Sequence, residues 1–432
     1  NVPAGQVTVQ VDLIGYGSQT QTVNVTAGSS ASVTFQMEQT AISLDELVVT
    51  GVGQATERRA LGTTVDVIGA AEISQAPVQN VAQLLQGRVA GATVNATTSQ
   101  PGTGSLINFR GVSSVSGAQT PVIYIDGVRV DSDQSTASGT GGEQSSALAD
   151  LMVGDIERVE ITKGGAASTL YGSDAATGVI QIFTKKGTPG APRVTFRMEQ
   201  GVEMPELKYM FDVGLTFPDI VDAGEAPATL LQDEYFRNGH LQSYYMGVNG
   251  GTADVTYRVS GRINQSDGTQ PKNGAVQYNL SGGMQASLTD QLQVEFSGSY
   301  TRSDFDRLFN GTAIADPLTT FEVGDALFFS GESTLQGALE MFLRPNITEE
   351  VNRFLVSSGA TYKWSDNLTS RISVGVDNRS NQQRVFEPIG FTPGEVTGEL
   401  LRFQREFSSV SLNASTSWSA DFSENVSSSL SV

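Results

Sequence analysis

Histidine and cysteine limit the catalytic chemistry that this chain can carry. The 432 residues include one histidine, His240, and no cysteine. A Cys-His nucleophile, a multi-histidine metal site and a thiolate metal site are therefore excluded within this sequence. A carboxylate pair for glycoside hydrolysis stays open, although most of the 46 Asp and Glu residues fall in loops and linkers. We expect no enzyme, no cofactor and no metal site, and an assay for glycan hydrolysis tests this expectation.

Charged residues of both signs stand close together in GDIERVEITKG, residues 154–164. They interrupt the apolar positions of a strand candidate and are Asp155, Glu157, Arg158, Glu160 and Lys163. These side chains could pair with a neighbouring element or form a solvated face, and their spacing alone favours the solvated face. Arg110, in the FRG that follows an apolar strand, leaves the same two interpretations open with equal weight.

Two loops resemble ligand sites but lack the spacing that such sites require. GGAASTLYGSDAATG (164–178) is rich in small residues, yet no Gly-Lys-Ser/Thr follows, so a phosphate-cradling loop is rejected. DSDQSTASGTGGEQSS (131–146) contains acidic residues without the spacing of a calcium loop. We interpret the first as a segment that packs its backbone tightly and the second as a mobile loop.

The overall composition excludes one class of partner. A net charge of −20 argues against nucleic acid, because a phosphate backbone requires a basic face. The chain is 38% apolar with regular spacing, so it is not a disordered acidic tail. No run approaches the ~20 apolar residues of a membrane-spanning helix. A closed barrel is the other way to cross a bilayer.

The first two regions of the chain have the short elements of compact domains. Residues 1–40 contain three strand candidates, at 7–13, 21–25 and 31–37, which indicate the end of a small β-sandwich. Residues 61–187 mix strands and short helices, as in an α+β domain. Its strand candidates include 63–68, 122–125 and 156–161, its clearest helix is 80–86, and YIDGVRV (124–130) predicts a hairpin at Asp-Gly.

The third region, from residue 192, alternates apolar and polar side chains over long runs. In 255–263 the odd positions are Val, Tyr, Val, Gly and Ile, whereas the even ones are Thr, Arg, Ser and Arg. Further runs occupy 276–288, 292–300, 354–364 and 410–418. Globular strands average about five or six residues, whereas a membrane-spanning strand needs ~9–11. An apolar row opposite a polar row is typical of a lipid-facing barrel with an aqueous interior.

The connections between these runs alternate in length. Short connections are predicted at 249–254, 289–291, 365–367 and 420–425, and long ones at 204–240, 265–274, 304–352 and 380–400. This alternation is typical of outer-membrane barrels and is not required of a soluble β-sandwich, the alternative. We count eight strands and the start of a ninth at 426–432. We therefore expect the sequence to be part of a larger barrel protein.

LDELVVTG (44–51) is a strand candidate without an evident partner. The residues that follow it, 54–59, are mostly polar and do not resemble the second half of a hairpin. The segment is either an extended peptide available for binding or the last strand of the preceding sandwich.

Several segments in their order resemble one family, the SusC/RagA type of TonB-dependent outer-membrane transporter. They are LDELVVTG (44–51), NVAQLLQGRVAGATV (80–94), NFRGVSSVSG (108–117), PVIYIDGVRV (121–130) and GDIERVEITKGGAASTLYGSDAATGVIQIFTKKG (154–187). The first 28 residues are similar to the end of the carboxypeptidase-regulatory-like domain that precedes the plug in this family. The resemblance covers nearly the whole chain.

This resemblance implies roles for individual residues. It identifies a TonB box that binds the C-terminal domain of TonB by strand addition, with the residues Asp45, Glu46, Leu47, Val48, Val49, Thr50 and Gly51. It places plug–barrel contacts at Arg110, Asp155, Glu157, Arg158 and Glu160. An ion pair between Arg110 and a carboxylate of the barrel wall would act as a latch.

The resemblance also implies an architecture and a function. We expect a mainly β chain with a sandwich remnant (1–40), a TonB box and linker (41–60), an α+β plug (61–190) and a partial transmembrane antiparallel β-barrel (191–432). The expected function is active import of a large nutrient, an oligosaccharide or peptide, across the outer membrane of a diderm bacterium, in contact with lipid and with a SusD-like surface lipoprotein. The alternative is a structural or adhesive barrel without transport.

Overall fold

The structure is a computed structural model. It describes residues 5–11, 19–25, 35, 47–50, 54–57, 65–75, 81–96, 101, 103, 105–111, 120–132, 134–135, 145–146, 148, 150–151, 153–205, 235–308, 337, 340–341, 343–391, 396–423 and 426–431. By its internal contacts the chain divides into two compact units. One is Asn1–Val48 with Ala55–Gly62, and the other is Val49–Gln54 with Thr63–Val432.

The N-terminal strands form two small sheets. β1 (Gly5–Val11) pairs antiparallel with β2 (Gln19–Val25), close to the predicted positions. The third predicted strand, 31–37, lies outside the described elements. β3 (Leu47–Thr50) forms a two-stranded sheet with β4 (Gln54–Glu57). The expectation that the strand at 47–50 has no pairing partner was wrong, because a polar sequence can supply main-chain hydrogen bonds as readily as an apolar one.

A five-stranded mixed sheet lies at the centre of the next region. Its strands are β5 (Val65–Ile68), β8 (Val122–Ile125), β9 (Val128–Val130), β12 (Ile156–Thr162) and β13 (Val179–Thr184). Their order is β5-β12-β13-β8-β9, and β13 runs parallel to β8. β5 is therefore an edge strand, and the sequence-predicted α+β character of this region is present.

Short helices and strands surround this mixed sheet. They are α1 (Ala70–Gln75), α2 (Val81–Leu85), β6 (Ala92–Ala96), β7 (Ser105–Phe109), β10 (Gln134–Ser135), β11 (Ser145–Ser146) and α3 (Gly165–Tyr171). Leu84, Leu85, Ile107, Ile161 and Ile180 are buried in one continuous core. The predicted hairpin between β8 and β9 is formed, and positive φ angles at Asp126 (46°) and Gly127 (83°) allow its tight turn.

A nine-stranded antiparallel sheet, the long sheet, contains most of the described residues from 190 onward. Its strands, consecutive in sequence and in space, are β14 (Gly190–Glu203), β15 (Gly239–Gly251), β16 (Val255–Asp267), β17 (Gly274–Ser287), β18 (Leu292–Arg307), β19 (Asn346–Ser365), β20 (Leu368–Glu387), β21 (Glu399–Ser423) and β22 (Val426–Ser431). The strand count from the sequence therefore agrees with this sheet. No helix among the described residues is long and apolar enough to cross a bilayer.

The long sheet reverses the usual distribution of polarity. On its outer face, apolar side chains such as Val259 (52% exposed), Leu280 (59%) and Leu412 (70%) are exposed. On its inner face, polar side chains such as Arg258 and Ser260 are buried. A sheet in water buries its apolar face, so this one requires an apolar environment outside.

The strands β18 to β21 extend further than the sequence indicated. The connections predicted at 304–352 and 380–400 are shorter, because β18 reaches Arg307, β19 begins at Asn346 and β20 ends at Glu387. Both faces carry polar residues in these extensions, and alternation therefore gave no signal there.

Candidate functional site

Asp155 joins the mixed sheet to the inner face of the long sheet. It stands at the end of a short 3₁₀ turn, Val153–Asp155, directly before β12. Its Oδ1 accepts hydrogen bonds from Arg258 Nη2 at 2.6 Å and Ser260 Oγ at 3.0 Å, and its Oδ2 accepts one from Ser281 Oγ at 2.7 Å. Ser260 and Ser281 are paired on β16 and β17. The inner face of the long sheet, called the wall below, therefore presents three hydrogen-bond donors to one carboxylate.

Lys185, directly after β13, reinforces this contact from the strand next to β12. Its backbone N–H donates to the carbonyl of Asp155 at 2.8 Å, and its Nζ donates to the carbonyl of Gly154 at 2.8 Å. Burial lowers the pKa of the Lys185 ammonium, and Arg258 lowers it further, while Asp155 acts in the opposite direction. A Cβ at Gly154 would lie 2.2 Å from Arg262 Nη2, so a side chain there would require the Arg262 guanidinium to move.

A second group of ion pairs, the arginine cluster, consists of Asp131, Asp150, Arg353, Asp377, Arg379 and Arg405. Arg379 Nε donates to Asp150 at 2.7 Å, and its Nη1 lies 3.7 Å from Asp131. Arg405 also donates to Asp131, at 3.1 Å through Nη2. Arg353 pairs with Asp377 at 2.9 and 3.0 Å, and Asp377 in turn accepts from the backbone N–H of Asp131 at 3.1 Å. Most of these charges are desolvated, because all but Arg405 are almost fully buried.

The tip of the β8–β9 hairpin contacts strands of the wall directly. Asn413 donates to the carbonyl of Gly127 at 3.0 Å, and the Arg129 N–H donates to Ser411 Oγ at 3.0 Å. Val128 packs on Gly375, where an added Cβ would lie 2.0 Å from a Val128 methyl group. The hairpin therefore packs against the wall at a position where glycine leaves the backbone without a side chain.

Another ion pair fixes the end of the mixed sheet. Lys186 donates to Glu295 at 2.6 Å, and Arg371 donates to the same carboxylate. Nearby, a cavity of about 450 Å³ lies between the two sheets, and its lining includes Asp126, Lys186, Glu295, Ser297 and Asn413. Its walls combine polar and apolar groups, and no cluster of potential metal ligands is present among the described residues.

The remaining residues predicted at the plug–barrel boundary have different surroundings, and Glu157 and Arg158 both line the cavity between the two sheets. Arg158 donates to Glu160 at 2.8 Å and stacks over Phe183 at 3.9 Å, so this pair stabilises the mixed sheet itself. Glu157 is half-buried and lines the cavity. Arg110 is exposed beside Gly91 and Gly164 and has no ion pair with a described carboxylate. The latch proposed for Arg110 stays a prediction, and its backbone has a positive φ of 59°.

The charges of the arginine cluster were missed in the sequence. Asp131 had been assigned to a mobile loop, yet it is 1% exposed. The wall arginines did carry a signal, because Arg258, Arg353 and Arg379 all stand in the polar row of an alternating strand. An inward arginine in such a row predicts a buried carboxylate opposite it.

The residues predicted to bind TonB are only partly described. Leu47, Val48, Val49 and Thr50 form β3. Asp45, Glu46 and Gly51 lie outside the described residues.

Comparison with known proteins identifies the region that contains the mixed sheet. Residues 57–179 match the family model of the TonB-dependent Receptor Plug Domain. The chain is 30% identical over 262 residues to the TonB-dependent receptor SusC of Bacteroides thetaiotaomicron, covering 58% of this chain and 25% of SusC. It is 27% identical over 400 residues to TonB-dependent receptor P26 of Formosa agariphila, covering 86% of this chain and 38% of P26.

Solved structures share the fold. The RagAB peptide importer in its open-open state gives a TM-score of 0.63 at 18% identity, over 88% of this chain and 47% of that chain. The siderophore receptor PirA from Acinetobacter baumannii gives 0.55 at 20% identity, over 89% and 48%. The chain thus spans less than half the length of these proteins. With a plug-domain match and a long antiparallel sheet whose inner face is polar, the chain is similar to TonB-dependent receptors, with SusC and the RagAB importer among those it resembles.

Proposed function

We propose that this chain is part of an active importer that moves a large polar nutrient across the outer membrane. Cargo binds on the side of the long connections, TonB engages the segment 44–51, and pulling rearranges the plug. Members of the family are outer-membrane barrels, and the exposed apolar band of the long sheet supports the same location for this chain.

One observation carries the proposal. The mixed sheet is held on the polar wall by hydrogen bonds and ion pairs, through Asp155 and the arginine cluster. Charged contacts of this kind can open and reform, because water is able to replace each of them, whereas an interface packed like a core resists separation. A domain that must leave the wall and return is best attached in this way.

The position of β5 supports a mechanical role for the segment before it. β5 follows the predicted TonB box along the chain and pairs with β12 through four residues, Val65 to Ile68. It is an edge strand, so it can be withdrawn without breaking a second strand pairing. Among the strands of the mixed sheet, β5 is the first along the chain after 44–51, so force applied there reaches it before the others.

The proposed partners follow from the proposed importer function. They are the C-terminal domain of TonB and a SusD-like surface lipoprotein over the mouth of the barrel. RagAB is a peptide importer, which supports peptides as one cargo class, and oligosaccharides remain the other.

The first experiment measures binding of the full-length protein to a purified TonB C-terminal domain. Val48→Pro removes one main-chain donor and fixes φ, so strand addition should be lost. Val48→Ala keeps the donor and serves as the matched control. Equal binding by both variants would contradict recognition through the main chain. Import of labelled oligosaccharides and peptides by cells carrying each variant then tests transport itself.

A structural or adhesive barrel without transport is the second candidate. The pairing of β3 with β4 favours it, because a strand that is already paired is less available to TonB. A protein that neither binds TonB nor imports cargo, yet remains in the outer membrane, would support this function.

A further inference from the structure

Two exposed arginines stand directly opposite each other on the outer face of the long sheet. Arg384 of β20 and Arg402 of β21 are partners in the strand register. Both side chains are exposed, and neither makes a hydrogen bond or an ion pair with any residue that the structure describes. Like charges directly opposite on neighbouring strands repel each other. An anion bound between them would remove this repulsion.

Another arginine on the same face is arranged differently. Arg302 of β18 is also exposed, but it donates to Asp304 at 3.0 Å and to Glu350 at 3.1 Å. Its charge is therefore neutralised within the protein. The contrast marks Arg384 and Arg402 as the pair that is available for an external partner.

The neighbours of the arginine pair suit a saccharide. Gln382 and Gln404 form the adjacent pair on one side, and Phe386 (43% exposed) and Leu400 (46%) form the pair on the other. Amide groups bind hydroxyls, and an aromatic ring packs on the apolar face of a sugar. Glu406 is the nearest acidic residue in the outward row of β21, and its carboxylate accepts a hydrogen bond from Gln404 at 2.7 Å.

The height of the arginine pair above the apolar band determines which lipid headgroups can reach it. Val376 is the last apolar outward residue of the band on β20, and Arg384 lies eight residues further along that strand. Eight residues span about 26 Å, or about 20 Å along the membrane normal at a tilt of about 40°. Phospholipid headgroups extend only about 5–8 Å beyond the hydrocarbon on each side. The phosphate of an ordinary phospholipid is therefore too low to reach the pair.

We propose that Arg384 and Arg402, with Gln382, Gln404 and Phe386, bind the phosphorylated saccharide of an outer-leaflet glycolipid. The inference rests on the proposed outer-membrane location, with the long connections outside the cell. Each guanidinium would donate charge-assisted hydrogen bonds to phosphate, and the ring and amides would hold the adjacent sugars. The bound glycolipid would cover the β20–β21 extension that projects above the bilayer.

The test measures binding of lipopolysaccharide, purified from the host bacterium, to the full-length protein in detergent. The double variant Arg384→Gln with Arg402→Gln should bind about tenfold more weakly, since two charge-assisted contacts are lost. Arg384→Lys with Arg402→Lys should retain most of the affinity, and Arg302→Gln should bind like the wild type. Unchanged binding by the double glutamine variant would overturn the proposal.

Two further measurements identify the source of the anion. Dephosphorylated lipopolysaccharide should bind as weakly as the double variant does, and inorganic phosphate at millimolar concentration should not compete. A photo-crosslinker at position 386 should label glycolipid in cells, whereas a protein adduct would overturn the proposal. Cargo import by the same cells is measured separately. Weakened glycolipid binding with normal import would leave the importer function standing.

Discussion

Asp155 and Arg258 lie 2.6 Å apart across the boundary between two sheets, and both are almost fully buried. The carboxylate also accepts hydrogen bonds from Ser260 and Ser281, so its charge is compensated from three positions of the wall. Removing one member of such a pair leaves the other charged and desolvated, which is costlier than the net stabilisation that the intact pair contributes.

Asp155→Asn should destabilise the attachment of the plug by about 3–5 kcal/mol, because Arg258 loses its counter-charge in a buried position. Hydrogen exchange of β12 and β13 amides in the full-length protein measures the loss of protection. Asp174→Asn is the matched control, since Asp174 pairs with Arg129 at an exposed site and such pairs contribute about 0–1 kcal/mol. Equal protection in the two variants would contradict the role of Asp155.

Arg379→Gln should loosen the plug more than Arg405→Gln does. Arg379 pairs with both Asp131 and Asp150, whereas Arg405 pairs with Asp131 and is partly exposed. Limited proteolysis within residues 131–150 measures the difference. A more severe effect at Arg405 would show that Asp131 alone holds this segment.

Gly375→Ala should displace the β8–β9 hairpin, because the added Cβ would lie 2.0 Å from a Val128 methyl group. Overpacking of this kind costs about 1–3 kcal/mol. Val128→Ala in the same chain should restore part of the stability, measured as thermal unfolding. Gly261→Ala should be tolerated, since its Cβ would have no neighbour closer than 3.8 Å. Additive effects of the two changes at 375 and 128 would argue against direct contact.

The pH dependence of plug stability should change in Tyr124→Phe. Burial raises the pKa of the Tyr124 hydroxyl above 10.0, Arg129 lowers it, and Asp174 raises it. Above pH 10 the unfolded chain loses this proton before the folded one does, so stability falls as pH rises through that window. Melting temperatures between pH 9 and 11 should fall more steeply in the wild type than in Tyr124→Phe. Parallel curves would exclude Tyr124 as the source.

The sequence predicted strands well where one face differs from the other. The runs in β16, β17 and β21 were recognised because apolar and polar residues alternate there, and Asp126-Gly127 specified its hairpin. The upper parts of β19 and β20 were missed because polar residues stand in both rows, so that the buried apolar residues Ile347, Val351 and Val385 do not form a regular alternation. The pairing of β3 with β4 was missed because Gln54–Glu57 has no apolar row.

Site residues were harder to predict, because a contact between distant segments leaves no local pattern. Asp155 was one of five charged residues that the resemblance predicted as plug–barrel contacts. In the structure it accepts a hydrogen bond from Arg258 of the wall. Arg158 and Glu160 form an ion pair with each other. Their spacing of two residues puts both on one face of the strand and could have suggested this pair. Asp131 gave no signal at all, because its partners stand far away in sequence.

That separation affects how the chain reaches its native state. Arg405 meets Asp131 across 274 residues, so this ion pair cannot form until β21 has been synthesised and joined to the sheet. Contacts between such distant residues form slowly, since loop closure must precede them. The plug domain, although it is made first, is therefore expected to dock late, after at least eight strands of the wall have assembled. During that interval its acidic groups stay hydrated, which keeps an aggregation-prone intermediate soluble.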